Sequence, residues 1–121
     1  MSKVILIIDD SASVRQLVSI ALRDAGYTVI EACDGKDGLK QLNGQKINLV
    51  ISDVNMPNMD GISFVKAMKQ NPSYKFMPVI MLTTEGADGK KQEGKEAGAK
   101  AWIVKPFRPE QLVQAVSMLI V

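Results

Sequence analysis

Histidine is missing altogether from this chain of 121 residues. That removes Ser-His-Asp and Cys-His catalysis, imidazole-ligated metals and a phosphohistidine on the chain itself. Cysteine is nearly missing too. Cys33 stands alone, so no internal disulfide can form, which suits a reducing cytoplasm; it is expected to be a small buried apolar residue. No apolar run approaches the ~20 residues that span a bilayer. The N-terminus "MSKVILIIDD" reaches acids without a small-residue cleavage site, so neither a signal peptide nor membrane insertion is expected. A large charge of one sign is also lacking. The net charge is +2 with acids and bases interspersed, so no nucleic-acid partner is expected. The length suits one domain, residues 1–121, and is too short for a second.

What is present is a repeated alternation. Five short apolar runs recur: "VILII" at 4–8, "TVIEAC" at 28–33, "NLVIS" at 48–52, "PVIML" at 78–82 and "AWIV" at 101–104. All except the second are continuous rather than alternating, as strands covered on both faces should be. Helical periodicity fills the gaps. Over 11–25, Val14, Leu17, Val18, Ala21, Leu22 and Ala25 form one stripe, and Gly26 is a natural stop. Over 109–120, Pro109 opens a helix whose stripe is Leu112, Val113, Val116, Leu119 and Ile120. Weaker helices are expected over 34–44, 61–70 and 86–98; in the last of these, interior glycines cost about 1 kcal/mol each against alanine.

Five strand–helix repeats imply an α/β, doubly wound (βα)5 fold of the flavodoxin-like kind, a parallel sheet with helices on both faces. Strand order 2-1-3-4-5 is adopted from known sheets of this size, not worked out from these residues. In that order strands 1 and 3 are neighbours, and ligands bind at the crevice between their carboxyl ends. Asp9 and Asp10 end strand 1, and Asp53 ends strand 3. Thr83 and Lys105 reach the same rim from strands 4 and 5. Crowded carboxylates either share a proton or hold a cation. With oxygen ligands only, that cation is a hard ion, Mg²⁺ or its substitute Mn²⁺. A carboxylate nucleophile, such an ion, a lysine and a hydroxyl form a set suited to phosphoryl transfer onto Asp53.

The motifs "IIDDS", "ISDVNMPNMDG", "MLTTE" and "VKPF", in this order and spacing, resemble the receiver domain of bacterial response regulators over essentially the whole chain. The run "NMPNMDG" and the lack of an output domain make it most similar to CheY-like single-domain chemotaxis regulators. The resemblance implies that Asp53 is the phospho-acceptor. It implies that Asp10, Asp53 and the backbone carbonyl of Asn55 ligate Mg²⁺, with Asp9 acting through a metal-bound water. Thr83 would hydrogen-bond the phosphoryl group, Lys105 would pair with it, and Lys105–Pro106 would be cis. Trp102 takes the place of the family's switch aromatic, more often Tyr or Phe. Gly38 stands where alanine is usual. Asn55 and Glu85, each two residues beyond a site residue, should tune dephosphorylation.

The implied partners are a sensor histidine kinase as phosphodonor, a downstream effector such as the flagellar motor switch, and a phosphatase, with the chain monomeric and cytoplasmic. A phosphorelay or a twitching-motility circuit is the alternative pathway. The expected output face is the segment 86–98 with strand 5 and the last helix, Lys90, Lys91 and Lys95 at its rim. Two other classes stay open. A Mg²⁺-dependent phosphohydrolase is disfavoured because Ser11 and Asn55 stand where a second Asp would follow Asp9 or Asp53. A phosphorylation-independent binding module is disfavoured by the intact site. Flavin binding is disfavoured because "DDSASV" would set carboxylates against its phosphate.

Overall fold

A computed structural model of the chain describes residues 3–56, 58–83 and 98–120. Within them the elements run β1 (Val4–Ile8), α1 (Ala12–Asp24), β2 (Thr28–Ala32), α2 (Gly35–Leu42), β3 (Leu49–Asp53), α3 (Gly61–Lys69), a 3₁₀ turn (Pro72–Tyr74), β4 (Val79–Thr83), β5 (Ala101–Val104) and a C-terminal helix (Pro109–Leu119). All strand pairs are parallel, in the order β2-β1-β3-β4-β5. The helix expected over 86–98 lies, but for Gly98, outside the described residues, as do Glu85, Lys90, Lys91 and Lys95.

The continuous apolar runs divide by the two-residue period of a strand. Ile5 and Ile7 of β1 meet Val18 and Leu22 of α1 and Leu112 and Val116 of the C-terminal helix. Leu6 and Ile8 meet Leu42 of α2 and Phe64, Val65 and Met68 of α3 on the other face. Burying each such side chain contributes roughly 1.5–3 kcal/mol against the entropy of ordering it.

Among the described elements every boundary falls within a residue or two of its expected place, and the caps explain where the helices start. Ser11, Asp34 and Asp60 are N-caps whose side chains accept from the N–H groups of Val14, Asp37 and Ser63. Each such cap contributes about 1 kcal/mol. Gly26 takes φ +97 just beyond α1, the left-handed conformation a helix end favours. At α2, a Cβ on Gly38 would lie 2.6 Å from Ile8 Cδ1 and 2.9 Å from Phe64 Cε1. Its unusual glycine therefore lets α2 approach β1 and α3 closely.

Three expectations fail. Cys33 is exposed, not buried, because it lies just past the edge strand β2, its backbone N–H donating to Asp37 Oδ2. Strand β5 is less buried than expected: among the described strands it lies at the sheet edge beside β4, and Val104 is exposed. On α1, Leu17 is 48% exposed while Ser19 is buried in its place, so the buried stripe is rotated from the apolar one.

Candidate functional site

Asp9 follows β1 directly and is fully buried. Its backbone N–H donates to Ala32 O, and its Oδ1 accepts from the Ser11 N–H at 2.9 Å. Asp10, next in the chain, is exposed. Asp53 is the last residue of β3 and is buried. The parallel register of β1 with β3 thus delivers all three acids to one edge. One carboxylate oxygen from each lies within 4.8 Å of the others.

Lys105 arrives from the far side of the sheet. Its backbone N–H donates to Thr83 O at 2.6 Å, which continues the β4–β5 ladder one residue past Val104. Its Nζ then lies 2.9 Å from Asp9 Oδ2 and 3.6 Å from Asp53 Oδ1. The Lys105–Pro106 peptide is cis, as expected. Thr83 ends β4, fully buried, one residue beyond Leu82, the register partner of Asp53. Asn55 is exposed in the bend after β3. Trp102 is half-buried on β5 beside Met81, and its buried Nε1 has no hydrogen-bond partner among the described residues.

Burial, then the neighbouring charge of Asp9, pushes the Asp53 carboxyl from an ordinary 3.8 up to about 6, against the opposing pull of Lys105. One ammonium serves two buried carboxylates, with a third acid alongside. This donor set fits a hard divalent cation. Oxygen ligands at about 2.1 Å span about 4.2 Å across an octahedral shell, so small side-chain adjustments suffice.

Other contributors were not visible as motifs. Arg15, one turn into α1, donates from Nη1 to the Asp9 backbone carbonyl at 2.5 Å and pairs with Glu31 at 3.5 Å. It secures the backbone that carries two of the acids. Asn58, at φ +67, donates to Asp34 Oδ2 at 2.8 Å and ties the loop after β3 to the loop after β2. A Cβ on Gly61 would fall 2.1 Å from the Asp53 carbonyl oxygen, so only glycine lets α3 start against that peptide. That task of the glycine in "NMDG" shows only in the three-dimensional contact.

A family model described as "Response regulator receiver domain" matches residues 5–117. The chain belongs to the response regulator receiver domain family. This receiver domain is 41% identical over 113 residues to the "Probable chemotaxis protein CheY" of Rhizobium etli, covering 93% of this chain and 88% of the relative. It is similar in structure to the chemotaxis protein CheY4 of Vibrio cholerae, with TM-score 0.94, 48% identity, and 98% of this chain and 99% of that one covered. It is also 34% identical over 116 residues to the phosphate regulon transcriptional regulatory protein PhoB of Escherichia coli, across 96% of this chain but 51% of that protein. The receiver domain therefore spans about half the length of such transcriptional regulators. As a receiver domain it is a regulatory module of two-component signalling, a class that works with histidine kinases and downstream targets. Among the described residues no helix is long and apolar enough to cross a membrane.

Proposed function

We propose that this receiver domain is a phosphorylation-activated switch, taking a phosphoryl group onto Asp53 from the phosphohistidine of a sensor kinase. The observation that carries this role is the Lys105 ammonium shared between Asp9 and Asp53, beside a three-carboxylate cluster that fits a cation. Asp9, Asp10, Asp53 and the Asn55 carbonyl would hold Mg²⁺. When bound, that ion supplies neutralisation of the negative charge on the transferring group. An Asp53 carboxylate oxygen attacks phosphorus, the P–N bond breaks, and the electron pair leaves with the donor imidazole. Asp53 must be ionised to attack, and the nearby ammonium favours that form. Lys105 then exchanges its carboxylate partner for a phosphoryl oxygen, and the Thr83 hydroxyl donates to another. Hydrolysis of the acyl phosphate resets the domain, with Asn55 and Glu85 ordering or obstructing the attacking water.

The signal then leaves as differential affinity for another protein. Thr83 and Trp102 are the candidates for transmitting it, since a buried indole N–H without an acceptor gains a bond if the ring moves. Chemotaxis and control of a flagellar motor switch in the cytoplasm is the favoured pathway, supported by relatives named as chemotaxis proteins. The direct test is incubation with acetyl phosphate or a phosphorylated kinase, followed by intact-mass analysis. One hydroxylamine-labile phosphoryl group is expected, and it should require Mg²⁺. Labelling that persists in Asp53→Asn would refute the assignment.

A further inference from the structure

The chain is electrically polarised along its strands. The acids of the site crowd the carboxyl ends, whereas a lysine precedes four of the five strands: Lys3 before β1, Lys46 before β3, Lys75 before β4 and Lys100 before β5. At this second edge the turn before β4 and the start of β5 form a shallow groove of about 490 Å³, lined by Lys69, Lys75, Phe76, Gly98 and Lys100. Among the described residues no carboxylate lines it, and neither Lys75 nor Lys100 makes an ion pair. Lys69 reaches across to the Met77 carbonyl, and a Cβ on Gly98 would lie 3.2 Å from Lys69 Cε. Phe76 stands 86% exposed, with Lys75 Nζ 5.7 Å from the centre of its ring.

A singly exposed apolar side chain is ordinary, but this ring stands in a groove among three ammonium groups. Among the described residues these ammonium groups have no carboxylate partner, which specifies the sign of a ligand that would suit them. We propose that this groove docks an acidic peptide segment of a partner protein, with an apolar side chain seated on Phe76 and carboxylates placed between Lys69, Lys75 and Lys100. Partial burial, with Lys100 nearby, already lowers the pKa of Lys69, so an anion there would relieve a repulsion that the fold has built in. Rings against apolar groups, rimmed by charge, are how compact interfaces obtain both affinity and orientation. Protein is favoured over nucleic acid because the whole chain carries a net charge of only +2. The groove lies at the opposite edge of the sheet from Asp53, about 16 Å away along a five-residue strand at ~3.3 Å per residue. A segment bound here leaves the phospho-acceptor open, so this is an anchor independent of the phosphoryl site.

The test is titration of the ¹⁵N-labelled chain with a synthetic peptide, acetyl-Asp-Glu-Asp-Leu-Phe-Asp-Glu-amide. The same peptide with Asn and Gln for its acids, and a short DNA duplex, serve as separate probes. Saturable shifts confined to residues 69–77 and 98–101 are expected, weakened at least fivefold by Lys100→Glu and by Phe76→Ser. Both positions are exposed, so neither variant endangers the fold, and the ¹⁵N spectrum confirms it. Shifts elsewhere, no saturation at millimolar peptide, equal binding of the amide peptide, or tighter binding of the duplex at this edge would each overturn the proposal.

Discussion

Replacing Asp53 with asparagine should make the chain more stable at neutral pH in the absence of divalent cations. The reason is the carboxyl pKa of about 6, against 3.8 in the ordinary range. A difference of about 2, at ~1.36 kcal/mol each, amounts to about 3 kcal/mol. The sign follows from proton counting. Below about pH 3 the group is neutral whether the chain is folded or not, and it contributes nothing. Between about 4 and 6 the unfolded chain has released the proton and the folded chain still holds it. Folded protein then binds more protons, so stability falls as pH rises through this window. Above about 7 the full penalty applies. Asp34, whose carboxyl is held low first by the backbone N–H of Asp37 and then by Asn58, acts in the opposite direction. Its stabilisation is lost only as pH falls below about 4, outside the Asp53 window.

Asparagine keeps the size of aspartate and never ionises. Urea denaturation in excess chelator at pH 7.5 should find Asp53→Asn more stable than wild type by about 2–3 kcal/mol, an allowance made for relaxation around the buried charge. At pH 4 the two should nearly coincide. Wild type should lose stability between pH 4.5 and 7, and the variant should lack that slope. Mg²⁺ at ten times its dissociation constant should restore about 1.4 kcal/mol to wild type and less to the variant. A variant less stable than wild type at pH 7.5 in chelator, or one that retains the slope, would show that Asp53 is not the strained group.

Lys105→Met should destabilise the chain by about 3 kcal/mol at pH 7.5, because it leaves buried Asp9 without its 2.9 Å partner; a smaller loss in Mg²⁺ than in chelator, read by urea titration, checks it. Gly61→Ala should cost more than 3 kcal/mol or prevent folding, since its Cβ would meet backbone at 2.1 Å; a melting temperature within a degree or two of wild type would refute the contact. Gly38→Ala meets side chains that can shift, so an overpacking cost of about 1–3 kcal/mol competes with a helix gain of about 1, and a net loss near 1 kcal/mol is expected by calorimetry. Trp102 is the only tryptophan, and its emission should change when Asp53 is phosphorylated and lose that response in Thr83→Ala.

The fold was legible because its signals are redundant. β-branched runs, helical stripes, the Gly26 stop and the Pro109 start all agree, and parallel strands reveal themselves by being apolar on both faces. Exposure at the sheet edges was less legible. "AWIV" reads like a buried strand, yet β5 has a neighbour on one side only, and periodicity carries no information about position in a sheet. Cys33 misled for the same reason, since residue type indicates burial only on average. On α1 the apolar stripe included Leu17, but the helix also packs on the C-terminal helix, and Ser19 took the buried place. The acids were legible at once because topology alone brings strand ends together. Arg15, Asn58 and Gly61 were not, because each acts through a backbone carbonyl or a loop contact that no spacing rule encodes.

The same topology shapes the electrostatics of three acids gathered at one edge. In a parallel sheet every strand exit feeds a helix start, so helix N-termini gather where the strand carboxyl ends do. The first turn of a helix presents free N–H groups and the positive end of its dipole. Ser11, which caps α1, gives its own N–H to Asp9 Oδ1 at 2.9 Å, and the helix begins at Ala12, two residues beyond Asp10. Asp53 precedes α3 by a loop that Gly61 folds back onto the strand, its N–H donating to Val54 O at 2.9 Å. The dipole of α1 and the Lys105 ammonium together offset part of the repulsion among the carboxylates. Burial first, and then the remaining repulsion from Asp9, keep the Asp53 pKa raised, a cost that a bound cation would relieve. Under the proposed function, a phosphoryl dianion at this edge would meet the same N-termini and the same ammonium. Features that offset the carboxylate repulsion are therefore those that the proposed phosphorylated state would use.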